Sequence, residues 1–326
     1  MTVTPQLEQS QVTGTPWVWL FFTPHFTKFS KYLSKESNLI MIKHLGVVGA
    51  GTMGAGIAQA AALAGIEVSL YDINGTVLRQ ALERIKTGLK LGIEKGELSE
   101  NQTTEALARV HPRTRLGELN HSEIVVEAVI EELRIKKDLF KHLEADTKPT
   151  TILASTTSSI SITAIASATR HPENVVGLHF LNSPTSARLV EIVQAKQTSP
   201  ESVQRSIYFT TQLHKTAVLV QDSPGFIVNR MVQPFYGEAL RILGERVADA
   251  GQIDRILRVL GGFDLGPFES MDAVGLDLCL SVTQSMHVQT FGEPRYRPHP
   301  IQKQMVDSGM LGQKTGSGFY KHHEHE

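Results

Sequence analysis

Apolar residues along this chain follow two spacings, and after Asp222 one of them disappears. Residues 42–48 form a short apolar run that ends at a glycine. Residues 52–64, rich in alanine, methionine and isoleucine, read as a helix, and 67–71 (EVSLY) alternate as a half-buried strand does. Together they predict a β-α-β unit. A helical pattern covers 77–95, where Gly88, Gly92 and Gly96 predict bends or frayed turns. Residues 124–129 are a buried-strand run. Residues 132–143 have helical spacing, with Leu133, Leu139, Phe140 and Leu143 predicted to face inward. Strand-like runs follow at 152–154, 175–180, 189–193 and 217–220. Strands alternating with helices predict a mostly parallel α/β sheet covered on both faces. Beyond Asp222 the patterns are helical, at 228–244, 253–260 and 266–288, and the Ser223-Pro224-Gly225 punctuation marks a boundary.

Composition narrows the function classes. A formal net charge of −1 over 326 residues carries no basic excess of the kind nucleic-acid binders show. No run approaches the roughly 20 apolar residues of a membrane-spanning helix. Neither nucleic acid nor membrane is therefore an expected partner. Cys279 is the only cysteine, which excludes an intrachain disulfide and fits a reducing, cytoplasmic setting. Its apolar neighbours make it read as a small buried hydrophobe. Residues 1–40 are Ser/Thr/Gln-rich, then aromatic, then dotted with Lys28, Lys31 and Lys35. They read as a poorly ordered extension rather than a targeting segment. The histidine-rich tail, 322–326, reads as a solvated end.

The first candidate chemistry is Gly49-Ala50-Gly51-Thr52-Met53-Gly54, a G-x-G-x-x-G turn between a predicted strand and a predicted helix. Gly49 allows the tight turn, Gly51 lets backbone approach a pyrophosphate, and Gly54 lets the helix pack against the strand. Thr52 and Met53 open that helix, whose free N–H groups attract phosphate. Asp72 ends the next strand, about 20 residues on, where its carboxylate can accept from ribose hydroxyls and repel a 2′-phosphate. The pattern predicts a Rossmann-type doubly wound sheet over 41–222, binding a dinucleotide, with an all-α unit over 223–326. NAD and FAD share this turn, and the turn alone does not choose between them.

Further segments carry a resemblance. GAGTMGAGIAQ (49–59), VVEAVIEELRIKKDLF (125–140), ASTTSSISI (154–162), VVGLHFLNSPTSARLVEIV (175–193) and DSPGFIVNR (222–230) resemble the 3-hydroxyacyl-CoA dehydrogenase family, in family order. GPFESMDAVGLD (266–277) and LGQKTGSGFY (311–320) continue it. The resemblance implies NAD as cofactor, an acyl-CoA substrate and a homodimer formed through the helical unit. It implies His179 as the catalytic base and Glu191 as the carboxylate that orients it. Removing a hydroxyl proton while hydride leaves suits an imidazole near neutral pH. A carboxylate on the other ring nitrogen fixes the tautomer and stabilises the imidazolium. A hairpin-type connection between their strands would bring the two face to face.

By the same resemblance Ser158 and Asn229 sit at the substrate's 3-oxygen, Glu131 and Lys136 near the cofactor, and Lys95 at the CoA phosphates. Apolar residues Phe226, Ile227, Met231, Phe235 and Leu240 suit either a dimer interface or an internal core. Two departures stand out. Thr156 replaces the asparagine of the family's NTSS turn, and Ser183 the proline of its HFFNP run, before Pro184-Thr185-Ser186-Ala187. They predict an altered acyl pocket. Related folds act on carnitine or on sugar acids such as gulonate, or bind NAD without turnover, and these are the alternatives.

Overall fold

The computed structural model describes residues 41–181 and 184–322. The N-terminal extension, Asn182, Ser183 and residues 323–326 lie outside the described residues.

One eight-stranded sheet runs in the order β3-β2-β1-β4-β5-β6-β7-β8. Its strands are β1 (His44–Val48), β2 (Glu67–Tyr71), β3 (Val110–Arg113), β4 (Ile124–Glu127), β5 (Ile152–Ser155), β6 (Val175–Phe180), β7 (Leu189–Gln194) and β8 (Thr216–Gln221). Each neighbouring pair is parallel except β6 with β7. All residues of β4, β5 and β6 are buried, as strands covered on both faces require. Strand order reverses between β1 and β4, and such a reversal opens a ligand crevice at the carboxyl ends of the strands.

Helices α1 (Thr52–Leu63), α2 (Gly75–Glu94), α3 (Glu100–Ala108), α4 (Leu133–Asp146), α5 (Ile162–Ala166) and α6 (Pro200–Gln212) cover the sheet. Helix α2 runs unbroken through Gly88 and Gly92 and ends before Gly96, whose φ is 72°. A Cβ at Gly88 would stand 2.7 Å from Gln59 Oε1, and one at Gly92 2.6 Å from Leu98 Cδ1. These glycines admit neighbouring side chains, and that packing offsets their roughly 1 kcal/mol helix cost. On α4, Leu133 is exposed and Lys136 is buried instead. The expected inward leucine is thus displaced by an ion pair.

The described residues after β8 are mainly helical: α7 (Val228–Gly244), α8 (Ala250–Gly261), α9 (Pro267–Val274), α10 (Leu276–Gln289) and α11 (Pro300–Asp307). The continuous helix expected over 266–288 breaks at Gly275, whose φ of 101° suits only glycine. Tyr236, Leu240, Phe268, Met271 and Cys279 form the core of this unit. Burial pushes the Cys279 thiol up to about 12. The apolar set at the start of and along α7 splits, with Phe226 and Leu240 buried and Ile227 and Met231 exposed. Nor is the tail's first residue a solvated end: His322 Nε2 lies 2.8 Å from the buried Asp272 carboxylate. No helix among the described residues is long and apolar enough to cross a membrane.

Candidate active site

Three turns that follow parallel strands meet at the crevice. After β1, a Cβ at Gly49 would lie 2.5 Å from Ala128 O, and one at Gly54 1.8 Å from Gly49 O. Both positions exclude any side chain. A Cβ at Gly51 would meet nothing within 4 Å, so the space before it is open. Gly51 caps α1 without a side chain, and the first turn, from Thr52 and Met53, carries no acidic residue. Its amides therefore face that space with a positive dipole end. Asp72, just past β2, accepts from Ala50 N and from Asn74 N, each at 2.8 Å. This anchors the carboxylate against the glycine turn with acceptor capacity left on each oxygen. A glycine cradle, free amides and an anchored acid fit a dinucleotide's pyrophosphate and ribose.

The turn after β4 is built on a buried ion pair. Lys136 Nζ donates to Glu127 Oε1 at 2.6 Å and contacts Glu131 Oε2 at 3.2 Å. Glu127 and Lys136 are 0% and 1% exposed. Glu127 also accepts from Val129 N (2.8 Å) and from Ser155 Oγ (2.7 Å). Burying two charges is costly unless such extra bonds satisfy them, and here they do. Glu131 accepts from Thr157 Oγ1 and from Ser159 Oγ, tying this turn to the one after β5. Glu127, Ser155 and Thr157 were not singled out from sequence. An acid closing the apolar VVE run, with a lysine on the next helix, was the available signal.

The turn after β5 carries Ser158. Thr157 Oγ1 accepts from the amides of Ser159 (3.2 Å) and Ile160 (2.8 Å). Asn229 Nδ2, from α7, donates to Ser158 O at 3.2 Å. The structure thus brings Asn229 to Ser158, across two units of the chain. Thr156 is half-buried, and its amide continues the ladder by donating to Glu127 O.

Across β6 and β7, His179 and Glu191 are direct antiparallel partners. His179 Nδ1 and Glu191 Oε2 are 2.6 Å apart, and both residues are buried. Glu191 Oε1 accepts from the Ile227 and Val228 amides at 2.8 and 3.0 Å, the opening of α7. Phe226, read from sequence only as an apolar interface or core residue, packs its ring 5.6 Å from the imidazole with a φ of 51°. A bulky residue in that region stores on the order of 1–3 kcal/mol, held here by its burial. The Pro224-Gly225 pair just before it was the legible hint.

Lys95 lies apart from these turns, exposed at the C-cap of α2. The same helix lines a cavity of about 680 Å³ with Arg79, Gln80, Glu83, Arg84, Thr87 and Gly88. Arg84 Nη1 reaches Ala50 O at 3.5 Å, so this cavity adjoins the glycine turn. Lys95 is two helical turns beyond Gly88, on the same side.

Comparison with known proteins supplies the rest. The family model described as "3-hydroxyacyl-CoA dehydrogenase, NAD binding domain" matches residues 44–223, and "3-hydroxyacyl-CoA dehydrogenase, C-terminal domain" matches 225–322. The chain belongs to the 3-hydroxyacyl-CoA dehydrogenase family. It is similar to a probable 3-hydroxybutyryl-CoA dehydrogenase of Bacillus subtilis, 39% identical over 87% of this chain and 98% of that one. It is also 36% identical to the human mitochondrial hydroxyacyl-coenzyme A dehydrogenase, over 90% and 95% of the two chains. Among solved structures, (S)-3-hydroxybutyryl-CoA dehydrogenase PaaH1 from Ralstonia eutropha superposes with a TM-score of 0.83 at 36% identity, covering 87% of this chain and all of that one. The chain is accordingly an oxidoreductase of Rossmann architecture that uses NAD and acts on 3-hydroxyacyl-CoA.

Proposed function

We propose that His179 is the general base for oxidation of the 3-hydroxyl, and the acid in the reverse reduction. The observation that carries this reading is the 2.6 Å contact between His179 Nδ1 and the buried Glu191 carboxylate. With Nδ1 engaged, Nε2 is the nitrogen left to take the hydroxyl proton. Glu191 then stabilises the imidazolium that forms. Ser158 binds the 3-oxygen, donating to a ketone or accepting from an alcohol, and Asn229 stands beside it. Bound NAD would supply the acceptor for the hydride of C3. Gly49, Gly51, Gly54, Thr52 and Met53 would receive its pyrophosphate, Asp72 its ribose, and Glu131 and Lys136 would border its nicotinamide half. A positioned base of this kind contributes about 10²–10⁴-fold. The test is NADH consumption with acetoacetyl-CoA: the wild-type chain turns over and His179→Ala loses activity by that factor. No turnover on any 3-ketoacyl-CoA rejects the proposal.

We assign residues 41–222 to cofactor binding and 223–326 to the substrate cleft and dimerisation. Lys95 and the α2 cavity suit the anionic CoA moiety. The acyl pocket is read as altered around the departures at Thr156 and Ser183, of which Ser183 lies outside the described residues and is followed by Pro184. Pro184 is buried and packs on α1, where a Cβ at Gly56 would lie 3.0 Å from its Cδ. A substrate panel over short and long 3-ketoacyl-CoA, carnitine-type and sugar-acid compounds tests this. The pocket reading fails if acetoacetyl-CoA is used as well as by typical relatives. Met231, Leu260 and Phe291, at 71%, 84% and 100% exposure, give the helical unit an apolar surface. A second copy with two-fold symmetry would cover it, and the measurement is solution mass. Cys279, a buried free thiol, suits a reducing cytoplasm.

A further inference from the structure

We infer that Gln289 is a positioning residue for the reaction, acting as one arm of a two-amide clasp that sets Ser158. Gln289 is the last residue of α10. Its Nε2 donates to Ser159 O at 2.6 Å and to Ser285 Oγ, one turn back on its own helix, at 2.8 Å. Two hydrogens on one nitrogen serve both bonds, and the Ser285 bond aims the amide across the crevice. The other arm is Asn229 on α7, which takes the neighbouring carbonyl, that of Ser158.

The Ser158 turn lies between β5 and α5, outside both ladders. Its amide side is fixed from within the sheet unit, where Thr157 Oγ1 receives Ser159 N and Ile160 N and Ser155 Oγ receives Thr157 N. Its carbonyl side is held by the helical unit, through carboxamides from two different helices. A turn gripped on opposite sides by two units keeps its geometry only while the units stay closed together. Gln289 therefore couples closure of the helical unit to the placement of the Ser158 hydroxyl. Misplacement of a reacting group by an ångström is enough to slow a reaction strongly.

This rests on the proposed role of Ser158, so the experiment separates the two. Gln289→Leu keeps the bulk and removes the donors; Gln289→Glu retains a donor only while its carboxyl is protonated. With acetoacetyl-CoA and NADH, Gln289→Leu should lower kcat about three- to tenfold. The KM for NADH should hold, because the glycine turn and Asp72 are untouched. For Gln289→Glu, the ratio of its kcat to wild type should be highest at acid pH. It should fall to the leucine level as the carboxyl ionises and its charge opposes the Ser159 carbonyl. Hydrogen–deuterium exchange, which needs no turnover, should show residues 157–160 exchanging faster in Gln289→Leu. Wild-type exchange in that segment overturns the clasp whether or not the enzyme turns over. A lowered melting temperature with kcat and its pH profile unchanged also overturns it. Faster exchange in a chain with no wild-type turnover supports the clasp and rejects the proposed reaction.

Discussion

His179 and Glu191 stand opposite each other in the antiparallel pairing of β6 and β7, with Nδ1 and Oε2 2.6 Å apart. The same carboxylate receives the first amides of α7 on its other oxygen. Its two tasks separate by substitution. Glu191→Gln retains the shape but not the charge that stabilises the imidazolium. It should lower kcat by about 10²–10⁴-fold with little change in the KM for NADH. Glu191→Ala also strips the α7 amides and His179 Nδ1 of their partner, at about 1–3 kcal/mol for each buried group left unpaired. Its melting temperature should fall well below that of Glu191→Gln. Steady-state kinetics and thermal melts on the pair check this, and wild-type kcat in Glu191→Gln would remove the carboxylate from the mechanism.

Asp72 holds the glycine turn by Ala50 N and is the residue proposed to take the adenosine ribose. Asp72→Ala removes an acceptor for ribose and the charge that repels a 2′-phosphate. The ratio of kcat/KM for NADH over NADPH should fall by about tenfold or more, the cofactor preference such an acid sets. An unchanged ratio would mean that preference is set elsewhere.

The buried Glu127–Lys136 pair should respond unequally to single and double substitution. Lys136→Met leaves Glu127 charged and buried, which should cost about 3–5 kcal/mol in urea unfolding. Adding Glu127→Gln removes the stranded charge, so the double variant should be more stable than Lys136→Met alone. If the double variant is the weaker, the two side chains do not act as a pair.

Glu144, near the end of α4, supplies a pH-dependent contribution. Burial pushes its carboxyl up, but the amides of Arg170 and His171 and the Arg170 guanidinium outweigh this and hold it below the usual carboxylate range. A depressed folded-state value means stability gained above the unfolded carboxylate range and lost as pH falls through the folded value. The gap in melting temperature between wild type and Glu144→Gln should thus be full at neutral pH and close in acid below the ordinary carboxylate range. A gap that persists there would assign the stabilisation to shape rather than charge.

Much of this was legible in the chain. Apolar runs and one glycine turn gave the mostly parallel sheet, and loss of strand spacing after Asp222 gave the helical part that follows it. What escaped has physical reasons. β3 is an edge strand of only VHPR, interrupted by a proline and half exposed, so it carries little apolar signal. The glycines of α2 read as weak points because their value lies in what they admit from α1 and from Leu98. Lys136 reads as a surface lysine until Glu127 is placed beneath it. Gln289 meets Ser159 across 130 residues of sequence, a contact that no local pattern encodes.

Glu191's double engagement also bears on how such a protein can be rebuilt. A chimera that joined this sheet to the helices of a distant relative would put a foreign first turn under the carboxylate that steers the imidazole. The two halves are therefore not spare parts, and the join at Ile227 and Val228 has to be inherited with Glu191 as one piece.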